Sequence, residues 1–469
     1  MFGPALLQDD HTEPLAQNVY QVLETVGILC QNAEMLAALD TFGARVDAAE
    51  QRVRFPAALT EAFVAAVRQE NAGSAGWSPA PAAPGLAGVS THVAQFFLDH
   101  ETGEKRSSSQ ADFITCAQFG SALHPDGAVG HALAMTDVPP ILEPLQAGLL
   151  LAEWAYIPGA PFAWNNAQVD YLIEMGEILG EPHWYSLGAM CFAHPLRMDR
   201  DVADRFVRQI RTGGIAGITA MPVAGVTTPI TPEGFIVVTA AEFVATWMAG
   251  RALKPDCPLG GSMWAGSVDM SAGTTSYSTF DSMFYAFASV EFMRKWCGAY
   301  LSVGAGEYCA AKVPGMYTAL EKAYKAMVTS AFTGQPISSG TGLVDEGKTL
   351  SLVQVLLDRD YATGVGFLAQ HIDPSPANVG LAEILKVDLG FERSHFDTGH
   401  TLANFRRCAW LPRVVDRSGW NGFAAEEAIL AEARQQVRDL LAQYRKPEGR
   451  DDQLDALQAV LNRAAKELL

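Results

Sequence analysis

The sequence predicts an α/β fold: a TIM (β/α)8 barrel with an N-terminal helical extension and C-terminal helices. Three observations lead there. From residue 109 to about 400, short Gly/Ala-rich apolar segments alternate with helical stretches at a spacing of about 20 to 45 residues, which suits βα units. The segments are apolar on both faces, as strands of a parallel sheet covered on both sides are. Only 18% of the 469 residues are charged, while 49% are hydrophobic and 42 are Gly. Average globular sequences run at about 25% charged, so much of this chain is buried and intrinsic disorder is excluded. A doubly wound open sheet is the alternative, but no strand-like segment leads into G-x-G-x-x-G or a Walker A loop.

The elements follow in order. Residues 12–70 read as helices, with Leu15, Val19, Val22, Leu23 and Val26 at helical spacing, then Leu36 and Leu39, then Leu59, Phe63 and Val67. Residues 72–88 are rich in Ala, Gly and Pro and read as a linker. Residues 89–106 read as a hairpin turning at Thr102-Gly103-Glu104. Residues 1–108 thus form an N-terminal unit of helices and hairpin packed on the barrel. Ser109 with Asp112 is a capping box that opens a helix. Strands are expected near 129–137, 161–166, 183–192, 214–223, 257–264, 299–305 and 335–341, with an eighth near 390–396. Thr231-Pro232-Glu233 places an N-cap, a Pro at the first helical position and an acid in the first turn, and Ser278 with Asp281 reads as a second capping box. The barrel spans 109–400, and 401–469 is a helical cap ending in helices at about 424–446 and 452–469.

Charge narrows the partners. With 33 Lys+Arg against 52 Asp+Glu the net charge is −19, which gives no electrostatic reason to bind the phosphates of nucleic acid or an anionic membrane. Seven widely spaced cysteines without C-x-x-C argue for reduced thiols in a cytoplasm and against a structural zinc. Residues 1–10 carry no basic and apolar pattern of a signal peptide. The uncharged run of 21 residues from Thr212 to Pro232 is long enough to span a bilayer, but its Pro, Gly and Thr content reads as a buried strand and loop.

Reactive groups of a parallel barrel lie at the C-terminal ends of its strands. Those ends hold Trp164-Asn165-Asn166, His183-Trp184-Tyr185, Cys191-Phe192 with His194-Pro195-Leu196, Trp264, Asp269 and Tyr277, and Glu307-Tyr308-Cys309 with Lys312. They are rich in Trp and Tyr and hold few paired titratable groups. No H-x-H, H-E-x-x-H or G-x-S-x-G is present, so the activated nucleophile or metal of a hydrolase has no signature here. Aromatic faces with occasional carboxylates suit a desolvated cation, where a good cation–π contact is worth about 2 kcal/mol. The candidate catalytic residues are Glu307, Lys312 and Asp269, and the candidate substrate-binding residues are Trp164, Asn166, Trp264, Tyr277, Tyr308 and His395. Each also has a structural reading: the aromatics as core or rim, Asp269 and Glu307 as caps or loop ion pairs, Lys312 as a surface lysine, and His395 and His400 as turn formers. A metal-dependent hydrolase would use His183, Asp269 and His395 instead.

Taken together, these segments resemble the trimethylamine methyltransferase family, in particular its members without pyrrolysine, such as glycine betaine:corrinoid methyltransferase. The resemblance runs through Leu98-Asp99 with Thr102-Gly103-Glu104 and Arg106, Asp137-Val138-Pro139, and His194-Pro195-Leu196. It continues in Gly225-Val226-Thr227-Thr228-Pro229-Ile230-Thr231 with Ala241-Glu242, and in Asp269-Met270 with Gly273. It ends with Gly340 to Leu343, Ser351 and Asp358, His395-Phe396, His400-Thr401, Phe405-Arg406, Pro412 and Asp416-Arg417. Order and spacing over about 320 residues carry it. The resemblance implies a TIM barrel that moves a methyl group from a methylated amine to the Co(I) corrinoid (cobalamin) of a separate corrinoid-binding protein, with no bound metal of its own, in a cytoplasmic homo-oligomer. Trimethylamine enzymes carry an internal pyrrolysine; its absence points to a quaternary amine such as a betaine, whose carboxylate Lys312, His395 or Arg197 would receive. The chain departs from the family in Cys309-Ala310-Ala311-Lys312-Val313-Pro314-Gly315-Met316-Tyr317, which keeps the lysine but loses two acids and a glutamine, and in Phe280-Asp281. A barrel that binds a quaternary amine without methyl transfer is therefore the alternative.

Overall fold

In the computed structural model, residues 5–72, 89, 91–304, 306–333, 341–368, 370, 372–417 and 424–469 are described. The chain is a mixed helix and strand structure in which short strands lie between long helices. Local signals place several helix starts. Ser109 and Asp112 close the capping box of the helix Gln110–Leu123, and the Thr231 side chain accepts the Gly234 N–H at the start of Pro232–Leu253. The second expected box does not form. Thr279 takes the N-cap position of Phe280–Cys297 without a side-chain cap bond, and the Ser278 hydroxyl is turned away to Glu346 Oε2, 2.6 Å distant.

The parallel segments meet in sequence order. Ala94 bridges Leu133, Val129 bridges Pro158, Phe162 bridges Ser186, and the Thr219 N–H donates to Met190 O at 2.9 Å. Thr219–Ala220 then pairs with Ser262–Met263, which pairs with Ser302–Val303. Among the described residues this ladder does not close. The strand expected at 335–341 lies outside them apart from Thr341, and no strand forms at 390–396, where His395–Asp397 is a single 3-10 turn on an exposed segment. Parallel pairing instead begins at Ala94, ahead of residue 109, within the stretch expected to be hairpin alone. The hairpin itself forms from Phe96–Leu98 and Lys105–Ser107, and Phe96–Leu98 also pairs in parallel with Thr349–Ser351.

The N-terminal helices Thr12–Thr25 and Ala33–Phe42 pack on Pro232–Leu253. That helix is long and apolar enough to cross a membrane, yet 83% of its most apolar window is buried inside the protein, so its apolarity serves packing. Unexpected short strands 28–30, 45–47, 52–54 and 197–198 tie the N-terminal helices to the body. At the other end Ala425–Gln443 packs on Gln110–Leu123 and Leu352–Phe367, and Asp451–Leu468 packs on Val169–Leu179 and Glu143–Trp154. Burying one face of these amphipathic helices, with Ile429, Ala433, Val437, Leu457 and Val460 inward, is what holds them.

Candidate functional site

The ladder brings together the residues just past Met263, Val303 and Ala220. The Trp264 and Tyr308 rings meet edge to face with centroids 5.3 Å apart, and Tyr277 and Tyr308 do so at 6.4 Å. Offset and edge-to-face contacts of this kind are the favoured ones for aromatic quadrupoles. Two glycines let the rings in. A Cβ on Gly304 would fall 1.8 Å from Trp264 Nε1, and one on Gly347 would fall 2.2 Å from the Tyr308 ring. No side chain fits at either position.

Carboxylates flank the cluster. Glu307, adjacent to Tyr308, is buried, and its Oε1 is 3.8 Å from His92 Nδ1. Glu346 is buried too, and accepts from Ser276 Oγ at 2.6 Å, Ser278 Oγ at 2.6 Å and the Tyr277 N–H at 2.9 Å. It thereby pins the chain carrying Tyr277 against the turn beneath Tyr308. Behind them the buried Lys325 donates to Tyr308 O at 2.8 Å. Burial drives its ammonium down to about 8, against the pull of Glu307 and Glu346. Lys322 and Asp358, both buried, pair at 2.5 Å, and Asp358 also accepts from Gln354 Nε2 and the Gly342 N–H.

The polar groups of the ring cluster are neutral. Burial, then the charge of Glu307, pushes the Tyr308 phenol well up, and burial, then Cys191 and Glu346, pushes up that of Tyr277. Burial raises the Cys191 thiol to about 11, so it is no ready nucleophile. The arrangement is three aromatic rings beside carboxylate charge in a partly desolvated place, which is what a cation without N–H donors requires.

Two other strand-end histidines are fully engaged. Phe162 N–H donates to His131 Nδ1 at 3.2 Å, which leaves Nε2 as donor to Glu143 Oε1 at 2.9 Å; Glu143 also accepts from Trp164 Nε1 at 2.9 Å. His194 repeats the pattern: its Nδ1 donates to Glu242 Oε2 at 2.8 Å and its Nε2 accepts the Met221 N–H at 3.1 Å.

The candidate residues thus separate. Trp264, Tyr277, Tyr308 and Glu307 stand together. Trp164 lies with Phe162 and His131 in the other group, and Asn166, in the adjoining 3-10 turn, has a buried Oδ1 without a hydrogen-bond partner. Asp269 is exposed and spends its carboxylate on the Ser271 hydroxyl and the Ser271 and Ala272 N–H groups, bonds that hold it below the usual carboxylate range. Lys312 is exposed and pairs with Asp345 at 2.8 Å, where Lys105 also binds; burial of Asp345 is outweighed by the two lysines, which hold it down to about 2. His395 is exposed on a segment apart, and Arg197 is exposed and donates to Ala193 O. His183, Asp269 and His395 form no metal-binding group, and no three His, Cys, Asp or Glu do among the described residues. Glu346, His92 and Lys325 escaped the sequence reading. The signal available was a Gly directly after the charged turn, at Asp345-Glu346-Gly347, and a helix, Met316–Thr333, with lysines on its apolar face.

A family model described as trimethylamine methyltransferase (MTTB) matches residues 167–468. The trimethylamine methyltransferase MttB2 of Methanosarcina mazei is 24% identical over 281 residues, covering 59% of this chain and 55% of that protein. MttB of Methanosarcina barkeri is 23% identical over 283 residues, with 59% and 55% covered. The chain spans about half the length of the curated relatives it matches. Among solved structures, the monomethylamine methyltransferase MtmB of Methanosarcina barkeri aligns with a TM-score of 0.45 at 13% identity, over 93% of this chain and 88% of that one.

Proposed function

The chain belongs to the trimethylamine methyltransferase family, and on that premise we propose that it moves a methyl group from a quaternary amine such as a betaine to the reduced corrinoid of a partner protein in the cytoplasm. We propose with it that the parallel ladder closes as a (β/α)8 barrel. The observation that carries the reading is the cluster of Trp264, Tyr277 and Tyr308 beside Glu307, at the ends of adjacent parallel segments.

In this reading the nitrogen–methyl bond breaks with its electron pair left on nitrogen, giving a neutral tertiary amine, while the methyl carbon bonds to the cobalt of the corrinoid substrate. No proton moves, which is consistent with Tyr277, Tyr308 and Cys191 being held neutral. Positive charge on nitrogen fades toward the transition state, so a cation-binding cluster stabilises the ground state at least as much. Its contribution is then orientation and exclusion of water.

Lys312 and Arg197 are occupied elsewhere, and the ammonium that adjoins the rings is that of Lys325. The test is anoxic incubation of the purified chain with reduced corrinoid and a panel of betaines, tetramethylammonium and trimethylamine, following methylcobalamin by absorbance. Transfer from a quaternary amine is expected; an unchanged spectrum across the panel overturns the reading. Thermal stabilisation by a quaternary amine without transfer would favour a binding protein instead. Trp264→Leu is expected to weaken amine affinity by about 1–2 kcal/mol, roughly 5- to 30-fold.

A further inference from the structure

Three buried glutamates of this chain are each met by two or three donors. Glu143 accepts from His131 Nε2, Trp164 Nε1 and the Met135 N–H, Glu242 from His194 Nδ1 and the Leu196 N–H, and Glu346 from two hydroxyls and the Tyr277 N–H. Glu307 is buried as well, yet no hydrogen bond reaches its carboxylate among the described residues. His92 Nδ1 stands 3.8 Å from its Oε1, and the His92 ring makes no hydrogen bond of its own among them.

The backbone brings His92 to that place through a strained bulge. The N–H groups of His92 and Val93 both donate to His131 O, at 3.2 and 3.1 Å, before regular pairing resumes with the Ala94 N–H on Ala132 O at 2.8 Å. One residue is therefore extra on this side, and bulges of this kind re-aim side chains next to active sites. Val93 lies at φ 51°, in the left-handed region, which is an outlier for a β-branched residue. Such strain persists only where the surroundings impose it, and it clusters at functional sites.

The chemistry of a cationic ligand gives the pair a use. A carboxylate beside a quaternary ammonium gains opposite charge but no hydrogen bond, because the ligand has no N–H, and a buried acceptor left unmet is costly. A protonated tertiary amine brings an N–H and meets that acceptor itself. A neutral histidine removes the handicap by donating from its own ring. Burial, opposed by Glu307 and reinforced by Lys322, holds the His92 ring below its ordinary value, so the ring that faces Glu307 at neutral pH is the neutral one. Resting on the reading that Glu307 and the aromatic cluster bind the amine, we propose that His92 is a positioning residue whose Nδ1–H closes on Glu307 when the ligand is bound, so that the site selects cations without an N–H over those that carry one.

Calorimetry of the full chain near neutral pH with tetramethylammonium and trimethylammonium, equal in charge and different by one methyl group, tests this. His92→Ala is expected to lower tetramethylammonium affinity about tenfold, as an acceptor left unmet would, and trimethylammonium affinity by no more than about twofold. His92→Asn, whose side-chain amide can stand where Nδ1–H does, is expected to restore the wild-type selectivity. Equal losses for the two cations, or the same loss in His92→Asn as in His92→Ala, overturn the proposal. Histidine nitrogen NMR of the wild-type chain saturated with tetramethylammonium is expected to show His92 as the Nδ1–H tautomer, whether or not His92→Ala folds, and the Nε2–H tautomer overturns the proposal. Trp264→Leu separates this role from the reading beneath it. Affinity lost in Trp264→Leu with selectivity unchanged in His92→Ala overturns the role of His92 alone, whereas affinity unchanged in Trp264→Leu overturns the aromatic site and the role of His92 with it.

Discussion

His194 and His92 make two outcomes of the same ingredients, a histidine and a glutamate beside the ends of parallel segments. At His194 both ring nitrogens are used, and Glu242 also accepts the Leu196 N–H at 2.8 Å. At His92 the ring nitrogen and Glu307 stand 3.8 Å apart, too far for a hydrogen bond, and both side chains keep some exposure. Burial, opposed by Glu307, keeps the His92 ring below its ordinary value. Saturated polar groups hold the fold, whereas the pair at His92 leaves hydrogen-bonding capacity unused beside Tyr308. Glu242→Ala breaks the first arrangement and leaves two buried donors unmet, at about 1–3 kcal/mol each, so a loss of about 2–6 kcal/mol in urea unfolding is expected. Glu307→Gln is expected to change stability by about 1 kcal/mol or less while weakening tetramethylammonium binding. The reverse ranking in the unfolding curves would collapse the distinction.

The same contrast explains what could be read from the residue string. Ser109, Asp112 and Thr231 act on N–H groups within three residues, so their helix starts were legible locally. Ser278 was not, because Glu346, 68 residues away, takes its hydroxyl. The strand ends yielded Trp264, Tyr277, Tyr308 and Glu307 because a parallel sheet directs them to one edge. Glu346 and Lys325 stayed hidden because Asp345-Glu346-Gly347-Lys348 and Glu321-Lys322 to Lys325 read as solvated charge until the chain folds over them. The bridge at Ala94 was masked by the hairpin that follows it, since its partner Leu133 is some 40 residues distant.

The pH dependence of stability sharpens the contrast next. Burial lowers the Lys325 ammonium from 10.5 to about 8 despite Glu307, Glu346, Cys309 and Glu321. Between those values the unfolded chain holds a proton that the folded chain has released, so stability rises with pH across that window, and the penalty of burying the charge is fully present below about pH 8. Lys325→Met removes the group. Wild-type stability is therefore expected to gain on the variant's between pH 8 and 10.5 in paired urea titrations, and parallel curves would mean that Lys325 is solvated.

Geometry gives a smaller effect. Gly304→Ala places a methyl where Trp264 now lies, forcing the indole aside. Affinity for tetramethylammonium is expected to fall about tenfold, or about 1.4 kcal/mol, by calorimetry. Gly148→Ala, whose Cβ would meet Trp184 at an ordinary 3.4 Å, should leave affinity unchanged. Equal losses in the two variants would show that general disturbance, not the Trp264 wall, lowers binding.

The smallest effect belongs to Lys312, one of the three residues the sequence offered as catalytic candidates. Lys312 is 66% exposed and its ion pair is screened by water, so Lys312→Ala is expected to shift stability by about 1 kcal/mol or less. Asp345 keeps Lys105 at 2.7 Å, so the turn that carries Glu346 stays in place and amine affinity is expected to hold within about twofold. A large affinity loss in this variant, with unchanged unfolding, would return Lys312 to the binding site.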